Sequence, residues 1–289
     1  MKRRWKIMVA VVCICAMLVI IIGMASVWYV LYRPGTKSIG IGSDDVQIYA
    51  DDNTVLVAAE QLAEYSTHQW ALLIHSYRTD RKFMNSYARK YQEKGYNTLQ
   101  PDNRAHGSSG GTYIGMGYLD QYDIRCWIDY ILAKDPDAEI VLHGVSMGGA
   151  ALMMLSGQED VPDNVKAIIE DCGYVSATEY LTWKLKQKFH LPAFPVIPIT
   201  NAAFKIAAGY YMNDASALEG VKNSNIPTLF IHGTDDTTVP VEDVYRLYDA
   251  ASCPKELYVA EGAGHGQALM INEEEYWNRV FSFFDHYRM

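Results

Sequence analysis

The stretch Glu139-Ile140-Val141-Leu142-His143-Gly144-Val145-Ser146-Met147-Gly148-Gly149 decides the fold. Its first five residues predict a short strand, and residues 149–155 favour a helix. A strand, a G-x-S-x-G turn and a helix in this order are typical of a nucleophile elbow. Glycine at 144 and 148 lets strand and helix approach closely. The turn would hold the Ser146 hydroxyl at the helix N-terminus, where the helix dipole favours developing negative charge.

Apolar runs on both sides of this elbow predict a mostly parallel sheet with helices on both faces, because strands alternate with helical segments. The segment 55–64 fits a strand or a helix equally well. The predicted strands lie at 70–74, 96–100, 139–143, 167–169, 226–231 and 256–259, and the predicted helices at 81–94, 119–133 and 272–287. The chain is therefore expected to belong to the α/β class.

The alternation stops between residues 173 and 225, where the chain is rich in aromatic residues and is broken by three prolines. A segment of this length inside an α/β sheet is typical of a functional lid. Trp183, Phe189 and Phe194 are candidates to line a substrate pocket, although packing the lid onto the core is the commoner role of such side chains.

The N-terminal segment predicts a membrane anchor. Residues 7–31 carry no charge, and as a helix these 25 residues would span about 37 Å, enough to cross a bilayer. Four basic residues precede the run, so the positive-inside rule places the tip in the cytoplasm and the body outside. The predicted parts are 1–32 (tip and anchor), 33–54 (stalk) and 55–289 (domain). The alternative is that the N-terminal segment is a signal peptide, which is cleaved near Ala25 and leaves a secreted protein.

Charge and cysteine content exclude several classes of function. Six of the 25 basic residues and none of the 34 acidic residues precede Asp44, so the rest of the chain holds 19 basic and 34 acidic residues, a net charge of −15. Such an acidic body argues against binding to nucleic acid. The five cysteines form neither a disulfide framework nor a zinc-binding pattern. No metal and no cofactor are expected.

A serine nucleophile needs a histidine base and a carboxylate that orients it. With an elbow of this kind the acid follows the serine and the histidine comes last. Asp235-Asp236 follow the strand at 226–231, and His265 follows the last strand. Both loops would lie at the carboxyl edge of the sheet, where sites in α/β proteins form. Glu170-Asp171 is a second, lower-ranked position for the acid.

Four motifs give a family resemblance over about residues 68–289. They are Pro101-Asp102-x-Arg104-x-His106-Gly107-x-Ser109-x-Gly111, Gly144-x-Ser146-Met147-Gly148-Gly149, His232-Gly233-x-x-Asp236-x-x-Val239-Pro240, and Gly264-His265. With them the chain resembles α/β-hydrolases of the bacterial serine aminopeptidase/lysophospholipase-like type.

The resemblance implies a role for each matching position. Ser146 would be the nucleophile, His265 the base and Asp236, selected by the third motif, the acid. The backbone N–H groups of Met147 and Tyr77 would form the oxyanion hole. The chain departs from the family at His75-Ser76, where His-Gly is usual.

The predicted function is that of a membrane-anchored serine hydrolase, which cleaves carboxylic esters through an acyl-enzyme. Peptide or amide hydrolysis and lysophospholipid hydrolysis by the same triad are alternatives, and a non-catalytic binding module is a third. The expected partners are a small ester or lipid-like substrate and the membrane. The acidic body and aromatic lid favour neutral esters, whereas Lys184, Lys186 and Lys188 would suit an anionic headgroup.

The remaining polar residues of the motifs are expected to be structural. His75 and His232 end strands and predict buried hydrogen-bonding groups, and His143 is expected beneath the elbow. His106 is expected to fix its own loop. Asp102 and Arg104 are expected to pair with each other in that loop.

Overall fold

A computed structural model describes residues 2–32, 42 and 45–287 of the chain. Its described strands are β1 (Asp45–Tyr49), β2 (Val55–Gln61), β3 (Gln69–Ile74), β4 (Asn97–Pro101), β5 (Glu139–Val145), β6 (Val165–Asp171), β7 (Thr228–Gly233) and β8 (Lys255–Ala260). Its described helices are α1 (Lys2–Val30), α2 (Asn85–Glu93), α3 (Asp120–Lys134), α4 (Met147–Ser156), α5 (Ala177–Phe189), α6 (Ala193–Ala208), α7 (Ala217–Asn223), α8 (Glu242–Ala250), α9 (Ala268–Ile271) and α10 (Glu273–Tyr287).

The strands form one sheet in the order β1-β2-β4-β3-β5-β6-β7-β8. From β4 to β8 all neighbours pair in parallel, whereas β2 pairs antiparallel with both β1 and β4. The predicted mostly parallel sheet is therefore confirmed, and the undecided segment 55–64 begins with a strand. The fold is that of the α/β-hydrolases.

Two apolar layers cover the sheet, as alternation along β3 illustrates. Ala71 and Leu73 belong to the layer that contains residues of α2 and α10. Trp70, Leu72 and Ile74 belong to the opposite layer, with residues of α3 and α4. Successive side chains of a strand point to opposite faces, so a continuous apolar run is what a strand buried on both faces requires.

The predicted stalk, residues 33–54, differs from what the structure contains. Residues 33–41, 43 and 44 lie outside the described residues. From Asp45 onward the chain already forms β1, paired with β2 in the sheet. The short, alternately exposed strand at this edge carries too weak an apolar pattern to be recognised from the sequence.

Helix α1 is long and apolar enough to span a membrane. Its C-terminal end packs into the rest of the molecule. Val30 and Leu31 are buried, and the Ile114 N–H donates to the Leu31 carbonyl at 2.9 Å. The hydroxyl of Thr200 in α6 donates to Ser26 Oγ at 2.8 Å. The helix end is thus part of the domain surface that carries the helical insertion, α5 and α6.

Candidate active site

Ser146 occupies a strained turn between β5 and α4. Its backbone has φ 57° and ψ −114°, a region that non-glycine residues rarely adopt. A Cβ on Gly144 would approach the Gly148 carbonyl carbon to 2.5 Å, and a Cβ on Gly148 would approach the Ile74 carbonyl oxygen to 2.3 Å. Real Cβ contacts of this length do not occur, so both glycines are required for the crossing of strand and helix.

Three of the predicted residues meet at the carboxyl edge of the sheet. His265 Nε2 lies 2.8 Å from Ser146 Oγ, and His265 Nδ1 lies 2.6 Å from Asp236 Oδ2. Ser146 is 6% exposed and Asp236 is 9% exposed, whereas the His265 side chain is 22% exposed. The base therefore faces solvent or substrate, and the groups on either side of it are shielded.

The Asp236 carboxylate is held in its ionised form. Burial alone would raise its pKa, but hydrogen bonds from His232 and His265 outweigh burial and hold the pKa well below its usual range. The N–H groups of Thr238 and Val239 also donate to Oδ1, at 2.7 and 2.9 Å. An anion so fixed can orient the imidazole and stabilise an imidazolium.

His232 is buried, as predicted, and it also contacts the candidate acid. Its Nε2 lies 3.2 Å from Asp236 Oδ2 and 3.2 Å from the Val239 carbonyl oxygen. The sequence placed His232 at a strand end but did not connect it to Asp236. The spacing of four positions between His232 and Asp236, across a tight loop, was the signal in the sequence that could have indicated this contact.

The resemblance assigns the oxyanion hole to the backbone N–H groups of Met147 and Tyr77. Met147 begins α4, and the first amides of a helix have no carbonyl partner within it. Tyr77 follows β3, and the carbonyl of Ile74, the last residue of that strand, lies against Gly148. Among the described residues after β3, Arg78 has a positive φ of 58° and Ser76 does not. Serine in place of the usual glycine at 76 therefore costs no strain.

The second candidate acid position has other partners. Asp171 Oδ2 accepts from the Tyr276 hydroxyl at 2.9 Å, and Glu170 Oε2 accepts from the Gly173 N–H at 2.9 Å. Burial raises the pKa of Asp171 to about 6 and that of Glu170 to about 8. Neither carboxyl group is hydrogen-bonded to His265, so the geometry favours Asp236.

The other motif histidines form structural contacts, as predicted. His75 Nε2 accepts from the Asn103 N–H at 2.9 Å, and His106 Nε2 accepts from the Arg78 N–H at 3.0 Å. His143 lies between the Tyr91 and Tyr276 hydroxyls, at 3.0 and 2.9 Å. Burial lowers the pKa of His143 to about 3, so it stays neutral. Together these residues fix the loops around the elbow.

The predicted pairing of Asp102 with Arg104 is wrong. Arg104 binds both carboxylate oxygens of Asp123, at 2.7 and 2.6 Å. Asp102 pairs with Arg81 at 2.6 Å. A planar guanidinium favours a bidentate carboxylate, and helix α3 presents one. Closeness in sequence was a poor guide to the partner.

One group of side chains has the spacing of a metal site. The ligand atoms of Cys172, Asp236 and His265 lie within 4.8 Å of one another, the one such His/Cys/Asp/Glu group among the described residues. Burial raises the pKa of the Cys172 thiol well above its usual range, and metals bind the thiolate. The carboxylate and imidazole already bond to each other. The donor set therefore suits a proton relay better than a metal ion.

The lid candidates separate in the structure. Phe189 lines a cavity of about 170 Å³ next to Tyr77, together with Tyr180 and Lys184 of α5. Trp183 and Phe194 do not line it, and Phe194 is 78% exposed. Tyr29 and Val30 of α1 and Arg78 also line it. The sequence did not indicate these three, because the contact of α1 with the loop after β3 joins residues almost fifty positions apart.

Comparison with known proteins gives a family match. The model of the prolyl oligopeptidase family matches residues 81–288, which hold the elbow and both candidate partners of Ser146. The uncharacterised protein YqkD of Bacillus subtilis is 28% identical over 226 residues, 78% of this chain and 74% of that protein. A lysophosphatidylserine lipase of Macaca fascicularis, ABHD12, is 30% identical over 173 residues, 55% of this chain and 38% of that protein.

Solved structures share the fold. An esterase of Pyrococcus furiosus superimposes with a TM-score of 0.72 at 22% identity, covering 90% of this chain and 99% of the esterase. An esterase of Exiguobacterium antarcticum gives 0.59 at 17% identity, covering 83% and 99%. At such identities the likeness is one of architecture.

Proposed function

Because this chain belongs to the prolyl oligopeptidase family and is a hydrolase of the α/β-hydrolase superfamily, we propose that it cleaves carboxylic esters through an acyl-enzyme formed on Ser146. The observation that carries the proposal is the continuous chain of hydrogen-bonding distances from Ser146 Oγ through His265 to Asp236, 2.8 and 2.6 Å. A neutral serine hydroxyl is a weak nucleophile, and a base within hydrogen-bond reach makes it reactive.

The proposed reaction has two stages. His265 Nε2 takes the Ser146 proton as Oγ bonds to the ester carbonyl carbon, and the N–H groups of Met147 and Tyr77 bind the oxyanion. The C–O bond to the alcohol breaks, and the alcohol leaves with the proton from His265. Water then attacks the acyl-enzyme with His265 again as base, which releases the acid and restores Ser146.

Several observations support an ester as the substrate. The curated relative from Macaca is a lipase, and the esterases named above share the fold. The family description favours the second candidate, a peptidase or amidase, since the same three residues cleave amides when the leaving amine is protonated. Ester and amide substrates with the same acyl group distinguish the two.

Ser146→Ala tests the proposal. The full chain in detergent should react with a fluorophosphonate and hydrolyse p-nitrophenyl esters. Ser146→Ala should abolish labelling and lower kcat by up to about 10⁶-fold, because the nucleophile is removed. Ser252→Ala, at an exposed position, is the matched control and should behave as wild type. A Ser146→Ala variant that kept more than a few per cent of the activity would contradict the proposal.

A further inference from the structure

The cavity next to Tyr77 lies between three elements: the end of α1, the loop after β3, and α5. Tyr29, Val30, Tyr77, Arg78, Lys184 and Lys188 contribute to its wall. Its volume of about 170 Å³ is that of roughly five or six water molecules. It has room for a small polar group or a short chain, not for a large ligand.

The cavity is positively charged in an acidic protein. Its lining contains three cations and no carboxylate, although residues 44–289 have a net charge of −15. Within the described part of the chain, neither Arg78 nor Lys184 nor Lys188 forms an ion pair. What sets this group apart is that three such cations surround one cavity whose lining contains no carboxylate.

Aromatic rings hold the three cations in place. The Arg78 guanidinium lies 5.7 and 5.1 Å from the ring centroids of Tyr29 and Tyr77. Lys188 Nζ lies 3.0 Å from the Tyr29 hydroxyl, and Lys184 Nζ lies 5.6 Å from the Tyr180 ring. Cation–π contacts orient a charge without neutralising it. The positive charge therefore remains available to a ligand.

The helix geometry selects two of the three lysines. Residues four apart share a face of an α-helix, whereas residues two apart do not. Lys184 and Lys188 both line the cavity, and Lys186, exposed on the same helix, does not. Burial lowers the pKa of Lys184, and the Asp236 carboxylate offsets this only in part. An anion beside Lys184 would stabilise its charged form.

The cavity shares a wall residue with the proposed oxyanion hole. Tyr77 lines it and also supplies one of the proposed oxyanion N–H groups. The charge on Asp236 also acts on Tyr180 and on Lys184. The cavity therefore adjoins the loop that carries the proposed oxyanion N–H, and one of its lysines is within electrostatic range of the proposed acid.

We infer that this cavity binds the anionic group, a phosphate or a carboxylate, of the ester that Ser146 cleaves, and that Arg78, Lys184 and Lys188 determine this specificity. The inference rests on the proposed function and refines it. It differs from the neutral-ester preference that composition favours. Net charge describes the whole body, whereas the cavity carries its own local field. The anion belongs either to a lipid headgroup or to a soluble ester.

The test compares pairs of substrates in which only one member carries an anionic group. The full chain in detergent is assayed with p-nitrophenyl valerate and with the mono-p-nitrophenyl ester of glutaric acid, which adds a terminal carboxylate. Lysophosphatidate and an uncharged monoacylglycerol form the corresponding lipid pair. Wild type should prefer the anionic member of at least one pair by tenfold or more in kcat/KM. The preference should shrink with added salt. The pair with the larger preference identifies the source of the anion.

Paired variants assign the preference to the cavity. Lys184→Gln/Lys188→Gln should lower the ratio of anionic to neutral kcat/KM by tenfold or more, chiefly through KM. Lys184→Arg/Lys188→Arg should restore most of it. Lys186→Gln, on the same helix, is the control and should keep the wild-type ratio. An unchanged ratio in the double glutamine variant, or a wild type without anionic preference, overturns the inference. A wild-type protein that does not react with the fluorophosphonate would instead contradict the proposed function.

Discussion

At the scale of single residues, the two adjacent aspartates after β7 have different surroundings. Asp236 is buried and bonds to His265 and His232. Asp235 is exposed, and its Oδ1 accepts from the Thr234 hydroxyl at 3.0 Å. Only one of two neighbours in a tight loop points at the imidazole. The difference in environment makes the pair a natural internal control.

We therefore expect Asp236→Asn to reduce kcat by about 10⁴-fold, because an amide favours the wrong tautomer of His265. Asp235→Asn should leave kcat nearly unchanged. The measurement is ester hydrolysis by both variants at equal concentration of folded protein. Equal losses, or a greater loss in Asp235→Asn, would show that Asp236 does not orient the base.

Glu170 gives the folded protein a pH-dependent stability. Its pKa rises from 4.5 to about 8 on burial, so the folded state keeps a proton that the unfolded chain has released. This contribution is fully present below pH 4.5 and is lost as the pH rises through about 8. Glu170→Gln keeps an acceptor for the Gly173 N–H and cannot ionise.

Between about pH 5 and 8 the unfolding free energy of wild type should fall, relative to that of Glu170→Gln, by up to a few kcal/mol. Urea unfolding at a series of pH values measures it. Glu261→Gln, at an exposed position, is the control and should keep the wild-type slope. Parallel curves for wild type and Glu170→Gln would mean that Glu170 ionises normally in the fold.

At the scale of elements, local sequence patterns predicted the structural features that depend on residues adjacent in the chain. The aliphatic run before Gly144, the glycines of the elbow and the loops after β7 and β8 are adjacent in sequence to the groups that they position, so the motifs located all three candidate site residues. Contacts between distant segments were missed. Arg104 pairs with Asp123 across 19 positions, and Tyr77 donates to the Val30 carbonyl across 47. No periodicity in a single sequence specifies such partners.

Helix α6 packs along the C-terminal half of α1. Gly23 faces Ala203 and Ile199, and an apolar groove that includes Met24 and Ile206 runs between the helices. Since α1 has a charge-free run longer than the ~20 residues a bilayer needs, its partner should dip into the lipid interface. Amphipathic helices at such interfaces insert their apolar face to a depth of ~5–10 Å.

Ile206, which is 87% exposed, reports on this placement. In a background without native cysteines, Ile206→Cys should be protected from a polar, membrane-impermeant maleimide in vesicles, because lipid covers the position. In detergent that admits the reagent it should react. Tyr245→Cys, on the exposed face of α8, should react in both. Rapid labelling of Ile206→Cys in vesicles would place α6 in water.

At the scale of the whole molecule, α1 is the feature on which localisation depends. The helix is long and apolar enough to span a membrane, and its N-terminal end carries four basic residues. We propose that it is retained as a single-pass anchor with the hydrolase domain outside the cytoplasm. The buried contacts of Val30 and Leu31 would also hold the end of this helix on the domain.

The protein should accordingly remain in the membrane fraction, and protease added to intact spheroplasts should digest the domain. A cytoplasmic marker protein, intact in the same sample, is the control. Release of the domain with Ser26 as its first residue would favour the cleaved signal peptide. Protection of the domain from external protease would contradict the topology.

The junction between α1 and the domain has a kinetic consequence. Because Tyr77 bonds to the Val30 carbonyl and Ile114 to Leu31, an embedded α1 would fix the height and tilt of the catalytic serine above the bilayer. The enzyme would then search for its substrate in two dimensions. Turnover would follow the number of substrate molecules per unit area of the leaflet, so that adding inert lipid at constant bulk substrate would slow the reaction as effectively as a competitive inhibitor.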